Sequence, residues 1–388
     1  MILFILISIF IIFLIIERHL INRQINSIPL RITVAGTRGK SSVVDLMASI
    51  LRESGRVVLS KTTGSEARYI LPDGKCEEVK RRGSPSIIEQ KKLIRKAFKI
   101  NASTLITEIM SITGENHYIE SQKIIKPHIV LFTNVRVDHT EAMGKDKKTI
   151  SSVFAHDIVP DASVYIPEEE ARPQFWTAAQ KNGARLITVK RGTSSSVLSN
   201  EFCDREFRQN LDLVVAAARD LNIDEKSILN GISKTKHDIG SLKIWKLSDT
   251  ISGKKLLFVN GFSVNDPEST LLFIEKIKKL LPVPVERFIG LLNLRKDRAD
   301  RTLQWIDAIK KGQFPCFSTI YVTGAHLAVV KRKLKRVKIL KDKRAEKIIN
   351  RIKENSKDEG VVIGIGNMAG MGRSIVKYLE SRCCDYGI

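Results

Sequence analysis

Residues 32–43 read Ile-Thr-Val-Ala-Gly-Thr-Arg-Gly-Lys-Ser-Ser-Val. A β-branched apolar run stops at a glycine turn, and a lysine and two hydroxyls then open a helix. A strand handed to a helix through so short a turn is the opening of an α/β sheet. The same turn suits a nucleoside triphosphate. Gly36 and Gly39 let the backbone curl so that successive N–H groups, those of Thr37 and Arg38 among them, face phosphate oxygens. Lys40 can reach the terminal phosphates and Ser41 can place its hydroxyl on magnesium. The helix that runs on from Ser42 aims its positive end at the same anion. Common phosphate loops carry a glycine five residues before Gly-Lys, a position held here by Val34. The turn is therefore the shorter Gly-x-x-Gly-Lys-Ser.

Strand-like runs then alternate with helical patterns. Strands are expected over 31–35, 57–60, 104–110, 128–134, 163–166 and 185–189, with helices over 86–99, 149–157 and 209–221. Such alternation predicts a largely parallel sheet covered on both faces. The pattern restarts near 237–241, with strands over 255–260, 286–292, 319–323, 337–340 and 361–366. A chain of 388 residues is too long for one ordinary core. The expected organisation is a membrane anchor over 1–21, a central phosphate-loop α/β domain over 28–236, and a smaller Rossmann-like α/β domain over 237–388.

The anchor follows from residues 1–16, which carry no charge and only Ser8 as a polar side chain. A cleaved signal would show a basic start and a small-residue cleavage site, and neither is present. Arg18, His19 and Arg23 follow directly, and basic flanks stay in the cytoplasm. The chain is thus expected at the cell membrane on a single N-terminal span, with its catalytic domains in the cytoplasm. The five cysteines form no C-x-x-C pair, which suits a reducing compartment and no zinc site. The Cys383–Cys384 pair reads as a frayed tail.

Net charge is +23, from 65 basic and 42 acidic residues. Such a field favours a polyanionic partner. The densest basic run, 331–338 continuing to Lys347, reads first as a solvated face. No aromatic residues interleave with it, so nucleic acid is disfavoured.

Glu108 ends the apolar strand Leu-Ile-Thr-Glu, where a carboxylate needs a compensating charge such as a metal ion. Asp138 and His139 leave the next strand together, and Lys61-Thr-Thr-Gly64 could line the phosphate site. In the second domain, 260–270 with Asn265 and 293–301 with Asp297 and Arg298 carry more polar groups than a packed loop needs. A nucleotide would use them. The glycine run 364–370 reads as a tight strand–helix turn, since the chain ends before a ribose-binding acid could follow.

The motifs G-T-R-G-K-S-S, K-T-T-G, T-N-V-R-V-D-H-T-E-A-M-G, V-N-G-F-S-V-N-D-P-E-S-T and R-K-D-R-A-D-R-T, in this order, resemble the Mur ligase superfamily. The likeness is nearest to its poly-γ-glutamate synthase ligases, the CapB family. That resemblance implies an ATP-dependent amide ligase using ATP and magnesium. Lys40 would hold the phosphates, and Ser41, Glu108 and His139 the magnesium, making Lys40, Glu108 and His139 the catalytic set. Residues 36–42, Asn265, Asp297 and Arg298 would bind ATP, with the second domain closing to exclude water. The implied partners are glutamate and poly-γ-glutamate, the membrane, and integral-membrane subunits of a polymer synthase or export complex. Murein ligases carry a carbamoylated lysine about fifteen residues after the histidine, where this chain has Val153-Phe-Ala-His156. A folylpolyglutamate-type ligase and a membrane-linked ATPase energising polymer export remain open.

Overall fold

The computed structural model describes residues 2–63, 67–81, 83, 85–137, 140–195, 205–235, 243–248, 255–281, 288–356 and 359–385. The chain forms two compact units, 1–236 and 237–388.

The first unit is built on eight strands: β1 (Leu30–Ala35), β2 (Val58–Thr62), β3 (Arg68–Ile70), β4 (Cys76–Glu78), β5 (Thr104–Glu108), β6 (Ile129–Phe132), β7 (Ser163–Pro167) and β8 (Arg185–Val189). Their order is β4-β3-β2-β5-β1-β6-β7-β8. Neighbours from β2 to β8 are parallel, as alternation with helices requires. β3 and β4 add an antiparallel hairpin that the sequence pattern did not disclose. From β1 the chain passes first to β2, two places away, and later fills the gap with β5 and the other flank with β6. That reversal brings the carboxyl ends of β5, β1 and β6 side by side, the crevice where open α/β sheets bind ligands.

β1 is buried along its whole length. Val43, Met47 and Ile50 of the Lys40–Glu53 helix pack over Val34 with Leu213, Val214 and Ile228. On the opposite face, Leu93 and Ile94 of the Glu89–Lys99 helix pack with Leu59, Leu105 and Ile125.

The N-terminal helix spans Ile2–Asn26, and its apolar window, of mean hydropathy 2.4, is unburied and long enough to cross a membrane. Its last turns behave otherwise. Ile21 and Ile25 are buried in the core just described. Glu17 pairs with Lys91 at 2.9 Å and Arg95 at 3.0 Å. Lys126 Nζ donates to Asn22 Oδ1 at 3.0 Å. The Arg31 guanidinium donates to the carbonyls of Ile25 and Ile28 at 3.1 and 2.9 Å. The helix therefore runs on past residue 21 and ends as part of the globular body.

The second unit has β9 (Ile244–Ser248), β10 (Lys255–Asn260), β11 (Phe288–Leu294), β12 (Phe317–Gly324), β13 (Val337–Ile339), β14 (Glu359–Ile365) and β15 (Cys384–Asp385), in the order β13-β12-β11-β14-β10-β9-β15. The five strands from β13 to β10 are parallel, and β9 and β15 are antiparallel additions at one edge. Cys384, in the stretch that read as a frayed tail, instead enters the sheet opposite Lys246, while Cys383 caps the preceding helix. Alternate β11 residues serve two cores. Phe288 and Leu292 join Trp305 on one face, while Ile289 and Leu291 join Ile348 and Ile375 on the other.

Candidate active site

The turn after β1 is held by the segment after β6. Gly36 and Gly39 adopt φ of 120° and 81°. A Cβ on Gly36 would lie 2.3 Å from Thr133 Oγ1, and one on Gly39 would lie 2.5 Å from Asn210 Nδ2, so both positions exclude a side chain. Thr37 N donates to the Asn134 carbonyl at 3.0 Å. Arg38 N donates to Asn134 Oδ1 at 3.0 Å, and Asn134 Nδ2 returns a bond to the Arg38 carbonyl at 3.1 Å. Arg136 N donates to Thr37 Oγ1 at 3.0 Å. The N–H groups of Thr37 and Arg38, expected to face phosphate, are thus engaged in shaping the loop.

The Lys40–Glu53 helix begins without a side-chain cap at Gly39, a helix start suited to an anion. Lys40 Nζ curls back over the turn, donating to the carbonyls of Gly36 at 2.6 Å and Thr37 at 3.4 Å. Ser41 and Ser42 are partly exposed in the first helical turn.

Glu108 sits opposite Val34 in the β1–β5 register and is only 1% exposed. Oε2 accepts from Thr63 Oγ1 at 2.5 Å, while Oε1 is buried without a hydrogen-bond partner. A buried, half-satisfied carboxylate is costly, and a hard divalent cation supplies the missing interaction. The residues present therefore fit magnesium. Asp138, His139 and Gly64 lie outside the described residues. Among the described residues, no cluster of three His, Cys, Asp or Glu side chains could hold a metal by itself.

Behind Glu108 stands a polar group that the sequence reading missed. Gln90 Nε2 donates to the Glu108 carbonyl at 3.3 Å and to Glu120 Oε1 at 2.6 Å. Glu120, fully buried, also accepts from Met110 N, Ser111 N and Ser111 Oγ. Burial pushes its carboxyl upward, against the pull of the Ser111 and Gln90 bonds. One signal was available: Gln90 lies at helical spacing from Leu93, Ile94 and Ala97, a polar side chain on a core stripe. Lys61 corrects an expectation. It is fully buried and pairs with Glu89 at 3.1 Å, and burial lowers its pKa despite that carboxylate. Within Lys61-Thr-Thr, Thr63 is the residue that touches Glu108.

In the second unit, β14 lies between β11 and β10, and the ends of β11 and β14 are bound together. Asn293 Nδ2 donates to the carbonyls of Asn367 and Ala369 at 2.5 and 2.9 Å. Gly366, at φ 96°, leaves no room for a Cβ, which would lie 2.5 Å from the Asn293 carbonyl. The glycine run is the tight turn its sequence suggested. A small cleft here is lined by Asn293, Arg295, Arg298, Thr302, Gly366 and Asn367. Arg295 pairs with Asp297, whose carboxyl it holds below the usual range, and Arg298 pairs with Asp300 at 3.4 Å. The Asn265 side-chain oxygen is buried without a hydrogen-bond partner, and its carbonyl accepts from Trp305 Nε1 at 3.4 Å.

Residues 34–226 match the Mur ligase middle domain, and residues 247–382 match the C-terminal domain of poly-gamma-glutamate synthase CapB. The chain belongs to the CapB family of Mur ligases. It is 30% identical to the capsule biosynthesis protein CapB of Bacillus anthracis over 296 residues, which are 74% of this chain and 62% of that protein. The match thus spans less than two thirds of this CapB relative. The PGA synthase CapB of Bacillus subtilis (strain 168) is 27% identical over 376 residues, 94% of each chain. The CapB fold here is also that of E. coli FolC in complex with DHPP and ADP, at TM-score 0.65 and 16% identity over 94% of this chain and 93% of that one. A Yersinia pestis bifunctional folylpolyglutamate synthase/dihydrofolate synthase complexed with AMPPNP and Mn ion gives TM-score 0.67 and 14% identity, over 94% and 92%. At these identities the likeness to FolC-type enzymes is one of fold.

Proposed function

We propose that this chain is an ATP-dependent ligase that extends poly-γ-glutamate by amide bonds. The observation that carries the reading is the turn 36–42, fixed by Asn134 and Arg136, beside a Glu108 whose buried Oε1 lacks a partner. Family membership supplies the substrate class.

In the reading we favour, a carboxylate oxygen at the end of the growing chain attacks the γ-phosphorus. The bond to the β-phosphate oxygen breaks, giving an acyl phosphate and ADP. The amine of the incoming glutamate then attacks the acyl carbon, phosphate departs, and the nitrogen loses a proton. Lys40 exchanges its loop carbonyls for phosphate oxygens and neutralises charge on the transferring group. Magnesium held by Ser41, Glu108 and His139 would supply further charge neutralisation when bound. Gly36 and Gly39 allow close backbone approach to the phosphates, and Asn265, Asp297 and Arg298 are the proposed nucleotide contacts of the second unit. The Ile2–Asn26 helix serves as the anchor beside integral-membrane subunits that export the polymer, and the globular units face the cytoplasm, where ATP is.

Membranes carrying this chain, given magnesium, ATP and labelled glutamate, should yield a large acidic product with one ADP per amide. Oxygen-18 in the acceptor carboxylate should appear in the released phosphate. ADP release indifferent to glutamate, or label retained in the acid, would refute the reading. Folate acceptors belong in the same assay, since the FolC likeness is confined to fold.

A further inference from the structure

Ten of the seventeen residues 331–347 are lysine or arginine, and two, Asp342 and Glu346, are acidic. All ten cations are exposed. Elsewhere on the surface, several basic side chains are matched with acids, as in Lys234–Glu53 at 2.8 Å, Lys243–Glu380 at 2.7 Å and Arg185–Asp220 at 3.0 Å. Among the described residues, none of these ten forms an ion pair. Asp342 accepts instead from Arg351 at 3.2 Å, and Lys338 Nζ lies 5.6 Å from the centre of the Tyr321 ring.

The run wraps one edge of the second sheet. It takes in the end of the Leu327–Lys333 helix, the edge strand β13, and the start of the Ala345–Glu354 helix. Among the described residues β13 pairs only with β12, at the edge of the sheet, so its outer side offers open backbone N–H and C=O groups. Lysine on an edge strand discourages sheet-to-sheet aggregation. That purpose needs a charge or two on the strand, and does not account for cations spread over two helices and the turns between. Like charges within a Debye length of about 8 Å repel, and a bound polyanion relieves them.

We propose that this basic edge is a docking surface for an anionic polymer, the poly-γ-glutamate chain itself. The inference rests on the function proposed above. A chain with one carboxylate per residue matches a row of cations, and its amides can meet the open β13 edge. A single glutamate cannot bridge the row. The stretch has no aromatic side chain to stack a base, which argues against single-stranded nucleic acid.

The test uses the full chain in nanodiscs and the variant K331E/R332E/K335E/R336E, with melting temperature and initial ADP release as controls. The parent should bind purified poly-γ-glutamate with affinity falling at least about tenfold between 50 and 200 mM salt, through counterion release. The variant should bind about 100-fold more weakly at 50 mM salt with a shallower salt slope. It should also make shorter polymer at an unchanged initial rate, and glutamate monomer should not compete. Equal polymer binding by parent and variant would overturn the proposal. So would tighter binding of duplex DNA or phosphatidylglycerol vesicles at matched charge, lost in the variant. If the parent makes no polymer, the function proposed above fails, while the binding comparison still decides whether the edge holds polyanions.

Discussion

The two units each gather polar loops at the carboxyl ends of adjacent parallel strands, but they hold those groups in opposite ways. In the first, Asn134 and Arg136 fasten Thr37 and Arg38 from about a hundred residues away, and Glu108 is sealed in with one oxygen unmatched. In the second, Arg295–Asp297 and Arg298–Asp300 join side chains two residues apart, with the Asp297 side chain 62% exposed. The exposed Arg295–Asp297 pair contributes about 0–1 kcal/mol and is readily exchanged for a ligand. The loop of the first unit is already braced from a distance, whereas a nucleotide bound at Asp297 and Arg298, as proposed, would replace local pairs.

Substitutions on each side sharpen this contrast. Lys40→Ala should lower glutamate-dependent ADP formation by about 100- to 1000-fold, since the charge it neutralises develops on the transferring phosphoryl group. Its melting temperature should change little, because the Nζ bonds to the Gly36 and Thr37 carbonyls stay within its own turn. Glu108→Gln should lower turnover by about 100-fold. Metal-free, it should melt no lower than the parent, because the buried charge is gone, yet lose the rise in melting temperature that magnesium and ATP give the parent. A lower melting point without metal would show that Glu108 serves the fold rather than a cation.

Gly36→Ala should cost about 2–4 kcal/mol in denaturant unfolding, combining positive φ with a blocked Cβ. The folded fraction should still bind ATP poorly by calorimetry.

The strand–turn–helix of 30–53 was legible because all its instructions are local: β-branched residues, two glycines and the hydroxyls that follow. The hairpin β3–β4 was not, since two strands of three residues leave no period to read. β9 and β15 escaped notice for the same reason, their pairing being settled by the sheet they join. Within the site, Glu108 announced itself as a charge in an apolar strand. Gln90 and Glu120 did not, because their importance lies in a bond spanning 30 residues. Asn134 stood in a quoted motif, but its hold on Arg38 reaches across 96 residues and appears only once β1 and β6 are neighbours.

Two smaller effects extend the comparison. Glu120→Gln tests the scaffold behind the first site through pH. Burial raises the folded pKa of Glu120 above its ordinary value of 4.5, so the folded state binds the proton more readily. The stability this group contributes is complete below that ordinary value and is lost as pH rises through the folded pKa. The parent should therefore lose stability over that window relative to the variant, as urea titrations would read. An identical pH profile would mean that burial does not govern this carboxyl. Asp297→Asn, in the second unit, should shift stability by less than about 0.5 kcal/mol while raising the KM for ATP several-fold. A large loss of stability would show this site to be as rigidly built as the first.

The way the N-terminal helix ends bears on how the enzyme would respond to its surroundings. No pliable linker separates the exposed span from the sheet, because Glu17, Asn22 and Ile25 are each bonded into the body. Any tilt of this helix is therefore passed to the Glu89–Lys99 helix through the pairs of Glu17 with Lys91 and Arg95. Lys91, which takes that load, is next in sequence to the Gln90 amide that steadies the end of β5.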